Sequence, residues 1–161
     1  MTDLRAAVVT VSDSVAAGRA EDNSGPAAAR RLEDIGFAVV EATVVPDGVD
    51  SVAEELERLS RSVDLVVTTG GTGLGPRDLT PEATATVIDR IVPGIPEALR
   101  AATHSRVPFG MLSRATAGIA GRCLIVNLPG STKAVDEGFD VVGPVLVHAV
   151  EVASGNFGRH D

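Results

Sequence analysis

The chain alternates between short apolar runs and longer segments of helical period, and this alternation limits it to few architectures. Residues 4–11, 65–69 and 123–126 are nearly unbroken in Ala, Val, Ile and Leu. Runs of that kind suit strands buried on both faces, whereas a half-exposed strand would alternate apolar with polar residues. Residues 37–45 read as a further strand, closed by the turn sequence Pro46-Asp47-Gly48. Between the strands, Ala28, Leu32 and Ile35 share one helical face after Pro26 and before Gly36. Val52, Leu56 and Leu59 do the same after Asp50, read as an N-cap. Thr80 as N-cap, Pro81 and Glu82 predict another helix start, and Gly94 to Thr103 a further helix. The segment from about 131 to 153 reads as helical with a bend at Gly143-Pro144, followed by a polar tail from about 155. Residues 105–121, interrupted by Pro108, Gly110, Gly118 and Gly121, carry no clear period. The expected fold is α/β: a three-layer α/β/α sandwich around a mostly parallel sheet, in one domain spanning residues 1–161.

Charge and composition narrow the function. Fourteen Lys and Arg against 22 Asp and Glu give a net charge of −8, and only four residues are aromatic, all Phe. A general nucleic-acid binder needs a basic footprint and stacking rings, so that class is set aside. A single cysteine leaves no intramolecular disulfide and no Cys-rich metal site. No apolar run reaches the length of a membrane span, and Thr2, Asp3, Leu4 and Arg5 do not open a basic-then-apolar leader. The expectation is a cytoplasmic protein with no membrane partner.

Open α/β sheets bind ligands outside the carboxyl ends of their strands. In this chain those ends are Ser12-Asp13-Ser14, Pro46-Asp47-Gly48, the loop from Gly70 to Gly75, and Asn127-Leu128-Pro129-Gly130. Gly70, Gly71, Gly73 and Gly75, interleaved with Thr72, follow a strand and lead toward a helix, so backbone N–H groups there can approach an anion. The loop lacks the Gly-Lys-Ser/Thr ending and the dinucleotide spacing, so on its own it reads equally well as a tight turn. Asp47 and Asp78 are two carboxylates that could meet in one crevice and hold Mg²⁺ against substrate phosphates. Residues 98–135 carry Arg100, Arg106, Arg114, Arg122 and Lys133 without an Asp or Glu, a local +5. Such a stretch serves an anionic ligand or balances acidic neighbours. Ser113-Arg114, and Lys133 after Ser131-Thr132, pair hydroxyls with cations, as phosphate contacts do. Cys123 reads as a buried inert thiol, His148 as a core or interface residue, and His104 and His160 lack partners at metal-binding spacing.

The run from Thr68 to Thr84, TTGGTGLGPRDLTPEAT, resembles the motif of the MogA/MoaB-type family of molybdenum-cofactor biosynthesis proteins. Val8 to Ser14, Val45-Pro46-Asp47, Leu112 to Ala115 and Asn127 to Ser131 follow the same family order. The resemblance implies a three-layer α/β domain in a homotrimer or hexamer. It also implies a molybdopterin adenylyltransferase, a nucleotidyltransferase that joins ATP and molybdopterin with Mg²⁺ and releases pyrophosphate. Asp47 and Asp78 match the family's catalytic, metal-associated pair. By the same resemblance Gly70, Gly71, Thr72, Gly73, Gly75, Ser12, Pro129, Gly130 and Ser131 would bind nucleotide and phosphates. Ser14, Ser113, Arg114 and Lys133 would bind the pterin. Thr132 stands where some members have proline, which leans toward the MoaB branch and leaves a non-catalytic molybdopterin-binding or carrier protein as the alternative. Other proteins of molybdenum-cofactor biosynthesis are the implied partners. Molybdate insertion, known from larger relatives with added domains, ranks last.

Overall fold

The computed structural model describes residues 3–156; the end of the polar tail, with His160, lies outside the described residues. Six strands form one sheet in the order β2-β1-β3-β6-β5-β4. They are β1 (Arg5–Val11), β2 (Ala38–Val45), β3 (Leu65–Thr69), β4 (Arg90–Ile91), β5 (Ala117–Ala120) and β6 (Cys123–Leu128). β2, β1, β3 and β6 run parallel, and β5 and β4 complete the sheet antiparallel. The helices are α1 (Asp13–Ala16), α2 (Ser24–Asp34), α3 (Val49–Ser60), α4 (Thr80–Val87), α5 (Gly94–His104) and α6 (Thr132–Ala153), with a 3₁₀ turn at Pro108–Leu112.

Strand residues alternate between two cores. Ala6, Val8, Leu65, Val67, Leu124 and Val126 face α2 and α6, meeting Leu32, Phe139 and Leu146. Ala7, Val9, Val66, Cys123 and Ile125 face α3 and α4, meeting Val52, Leu56, Leu59 and Ala83. Both faces of the central strands are therefore covered, which explains why their sequence is continuous rather than alternating. β2 lies at the sheet edge and carries Glu41 and Thr43 among its apolar residues; Glu41 accepts from Arg58.

Several boundaries depart from the sequence reading. α2 begins at Ser24, before Pro26, where the Asp22 carboxylate takes the Gly25 N–H at 3.0 Å. The cap position of α3 is Gly48 (φ 133°), and Asp50 sits inside the first turn, facing the positive end of the helix dipole. Thr80 is already helical and its hydroxyl donates to the Gly70 carbonyl at 2.9 Å rather than capping α4. α6 continues through Pro144 as one 22-residue helix. Of the region without clear period, β5 pairs with both β4 and β6, so tertiary pairing decides it. His148 is exposed on α6 and so is not a core residue.

β6 extends two residues beyond Val126 and includes Asn127, which is fully buried. Its Nδ2 donates to Thr68 Oγ1 and Thr84 Oγ1, both at 3.0 Å, and its Oδ1 accepts from the Thr116 N–H at 3.2 Å. This one amide ties β3, α4 and the approach to β5 together. Asn127→Ala removes all three bonds at once. It is expected to cost about 2–3 kcal/mol, read as a lower urea midpoint.

Candidate active site

Strand order reverses between β1 and β3, since β1 connects outward to β2 while β3 lies on its other side. The loops leaving these two strands part there and open a crevice at their carboxyl ends. Gly70 and Gly71 enter it with φ of 94° and 69°, a conformation that side chains resist. A Cβ on Gly70 would lie 2.3 Å from the Val11 carbonyl oxygen, and one on Gly130 would lie 3.2 Å from Gly70 Cα. The backbones leaving β3 and β6 thus pass each other almost in contact.

Around the glycine loop stand the two predicted carboxylates. Asp47 Oδ1 lies 3.2 Å from where a Cβ of Gly71 would be, and Asp78 Oδ2 lies 2.9 and 2.8 Å from those of Gly73 and Gly75. Asp78 Oδ2 accepts the Gly75 N–H at 2.9 Å, and Asp47 Oδ2 accepts the Asp13 N–H at 2.9 Å. Burial raises the Asp47 carboxyl above the usual carboxylate range, and the charges of Asp13 and Asp78 push the same way. Among the described residues the backbone N–H groups of Gly71, Thr72, Gly73 and Leu74 make no hydrogen bond within the chain. Four N–H groups without a partner in the chain, beside two carboxylates, are the kind of donor and acceptor set that a metal–phosphate unit can use.

The donor set fits Mg²⁺ of that kind. No cluster of three or more His, Cys, Asp or Glu able to hold a metal occurs among the described residues. Mg²⁺ in phosphate-transfer sites takes only one or two carboxylates and completes its octahedron with phosphate and water. Asp47 and Asp78 would hold it, each having one oxygen that already accepts a backbone N–H.

Arg114 turns its guanidinium toward groups of the chain itself. Its guanidinium pairs with Glu82 and donates to the carbonyls of Asp78 and, at 2.8 Å, Gly73, while its own N–H bonds the Thr72 carbonyl at 2.8 Å. The ion pair holds the Glu82 carboxyl below its ordinary range. Arg114 therefore clamps the glycine loop. Two other cations of the basic segment also have partners within the chain. Arg106 pairs with Glu137 at 3.2 Å and Arg100 donates to the Ser113 and Ala115 carbonyls. Lys133, 86% exposed, approaches Glu137 at 3.9 Å.

The remaining predicted residues divide between two cavities. Ser12, Gly130 and Ser131 line a polar one of about 340 Å³, together with Asp22, Asn23 and Ser24. Ser14 adjoins it, its hydroxyl 3.2 Å from that of Ser12. Thr72, Gly73, Ser113 and Pro129 line an apolar one of about 490 Å³, whose walls include Leu99, Phe109 and Leu112. Ser131 caps α6, its Oγ accepting the Ala134 N–H at 3.1 Å. Cys123 is buried, and burial pushes its thiol up to about 12, which removes it as a nucleophile.

Sequence reasoning placed Asp13 at a candidate strand end and Arg77 beside Asp78 but missed that the two pair. Arg77 Nε and Nη2 reach Asp13 Oδ2 and Oδ1 at 2.5 and 3.0 Å, and Nη2 also reaches the Asp47 carbonyl at 2.8 Å. Their signal was adjacency: each directly borders a residue already singled out.

A family model described as a probable molybdopterin binding domain matches residues 7–148. The chain belongs to the MogA/MoaB-type molybdopterin-binding family. This MogA/MoaB-type chain is 37% identical over 161 residues to the molybdopterin adenylyltransferase of Helicobacter pylori, covering 98% of the one and 92% of the other. It is 37% identical over 153 residues to the molybdenum cofactor biosynthesis bifunctional protein of Chlorobaculum tepidum, covering 94% of this chain but only 49% of that protein. It thus spans about half the length of such bifunctional relatives. The molybdopterin biosynthesis Mog protein of Mycobacterium ulcerans superposes with a TM-score of 0.90 at 42% identity, over 96% of this chain and 99% of that one. The α/β/α architecture expected from the strand runs is that of the MogA/MoaB-type family.

Proposed function

We propose that the chain is a molybdopterin adenylyltransferase acting with Mg²⁺ and ATP. The observation that carries this reading is the placement of Asp47 and Asp78 beside a glycine loop whose successive N–H groups are left for an anion. The name of the Helicobacter relative supports it. In the reaction a terminal phosphate oxygen of molybdopterin attacks the α-phosphorus of ATP, and the bond from that phosphorus to the bridging oxygen breaks. Pyrophosphate leaves with the bonding electrons. The nucleophile is already ionised near neutral pH, so no side chain has to remove a proton from it. Mg²⁺, when bound, supplies charge neutralisation on the transferring phosphate oxygens. The residues contribute alignment: Asp47 and Asp78 fix the charged centre, the loop N–H groups bind non-bridging oxygens, and Arg114 keeps the loop in shape.

Ser12, Ser14, Gly130 and Ser131 on the polar side, and Ser113 and Pro129 on the apolar side, provide compartments for the two organic substrates. Purified protein mixed with molybdopterin, ATP and Mg²⁺ is expected to yield adenylylated pterin and pyrophosphate in equal amounts. Pterin binding without either product would overturn the transferase and leave a carrier.

The same reading includes a homotrimer or hexamer acting in the cytoplasm. Phe109, Met111 and Leu74 are 77%, 60% and 64% exposed beside the apolar cavity, and Val145 and Val152 are exposed on α6. Exposed apolar side chains gathered in this way mark association surfaces. Sedimentation at micromolar concentration is expected to show a trimer or hexamer, and a monomer would refute the assembly.

A further inference from the structure

Asp13 and Asp47 exchange backbone and side-chain hydrogen bonds in both directions. The Asp13 N–H donates to Asp47 Oδ2 at 2.9 Å, and the Asp47 N–H donates to Asp13 Oδ1 at 3.1 Å. Arg77 adds a fork on Asp13 and a bond to the Asp47 carbonyl, and it is the residue immediately before Asp78. Three loops, those leaving β1, β2 and β3, are thereby cross-linked through one exposed ion pair.

The consequence concerns the gap between the carboxylates. Asp47, after β2, lies beside Gly71, and Asp78 lies beside Gly73 and Gly75 at the far end of the glycine loop; no hydrogen bond joins them directly among the described residues. Their separation is held by what joins their backbones, and the Asp13–Arg77 pair makes that join. A bidentate Arg–carboxylate contact fixes direction as well as distance. We propose that Asp13 and Arg77 are positioning residues that preset the Asp47–Asp78 pair for a divalent cation, a role that rests on the assignment of those two carboxylates as metal ligands.

Asp13→Asn and Arg77→Lys test this. The first keeps an acceptor for the Asp47 N–H but loses the charge that Arg77 grips; the second keeps the cation but loses the fork. Two readouts are taken. One is Mn²⁺ binding to the protein alone, from the loss of the free-ion electron paramagnetic resonance signal. The other is the Mg²⁺ concentration giving half-maximal adenylylation. Asp13→Asn is expected to weaken Mn²⁺ binding and raise the Mg²⁺ half-saturation together, by about 5- to 20-fold, and Arg77→Lys by about half as much on a logarithmic scale. Turnover at saturating Mg²⁺ is expected to return to within about threefold of the parent, because positioning loss is overcome by cation concentration. Arg58→Lys, which breaks a comparable exposed fork on Glu41, should move neither readout. Unfolding midpoints identify any variant that has lost its fold. Unchanged Mn²⁺ and Mg²⁺ dependence in a folded Asp13→Asn protein would overturn the proposal. If the parent makes no adenylylated product yet its Mn²⁺ binding weakens in both variants, the positioning role stands and the transferase reading fails.

Discussion

Asp78→Asn is expected to lower adenylylation by roughly a thousandfold, about 4 kcal/mol of transition-state stabilisation, while the protein stays folded. The amide retains an oxygen to accept the Gly75 N–H, so the loop contact at 2.9 Å survives. The negative charge opposite Asp47 is lost, and with it half of the carboxylate pair. Binding of nucleotide through the loop N–H groups should weaken far less than turnover, since those donors are untouched. Product formation is followed by phosphate-ester analysis of pterin and release of pyrophosphate. A variant turning over at the parent's rate would remove Asp78 from the reaction.

Gly70→Ala should produce the largest structural loss. The residue sits at φ 94°, and its added methyl would come within 2.3 Å of the Val11 carbonyl oxygen. That oxygen ends β1, which is paired on both sides, with Val11 opposite Val45 and Thr10 opposite Thr69, so it has no room to yield. Left-handed strain and a backbone collision together are expected to cost about 3 kcal/mol, lowering the melting temperature by roughly 6–12 °C. Calorimetry of the purified variant checks this. An unchanged midpoint would mean that the β3–α4 loop adopts another path.

The central layer was legible because a parallel strand covered on both faces leaves a plain mark: Ala6 to Val9, Leu65 to Val67 and Leu124 to Val126 are apolar on every residue. The glycine loop was visible for the opposite reason, since four residues without side chains after a strand leave the backbone bare, although a tight turn would look the same. β4 and β5 were not. Their residues owe their extended form to partners across the sheet edge, and Gly118 within β5 lowers its local propensity. Asn127 escaped as a strand residue because its polar side chain ended the apolar run, whereas burial with three partners lets it continue inside. Asp47 and Asp78 were visible as types. What the sequence could not supply was the partnership of Arg114, whose cation was read as a contact for phosphate. Its carbonyl and Glu82 partners lie at least 32 positions away along the chain.

The first turn of α6 is a party wall. On one flank Gly130, Ser131 and Thr132 bound the polar chamber; on the other Pro129, Ala134 and Gly138 bound the apolar one. Gly138 lets the rod sit tight on Leu128 and Leu99, with a missing Cβ only 3.1 and 3.5 Å from their methyls. A sideways displacement of that turn would widen one room as it narrows its neighbour, because both are bounded by the same stretch of chain.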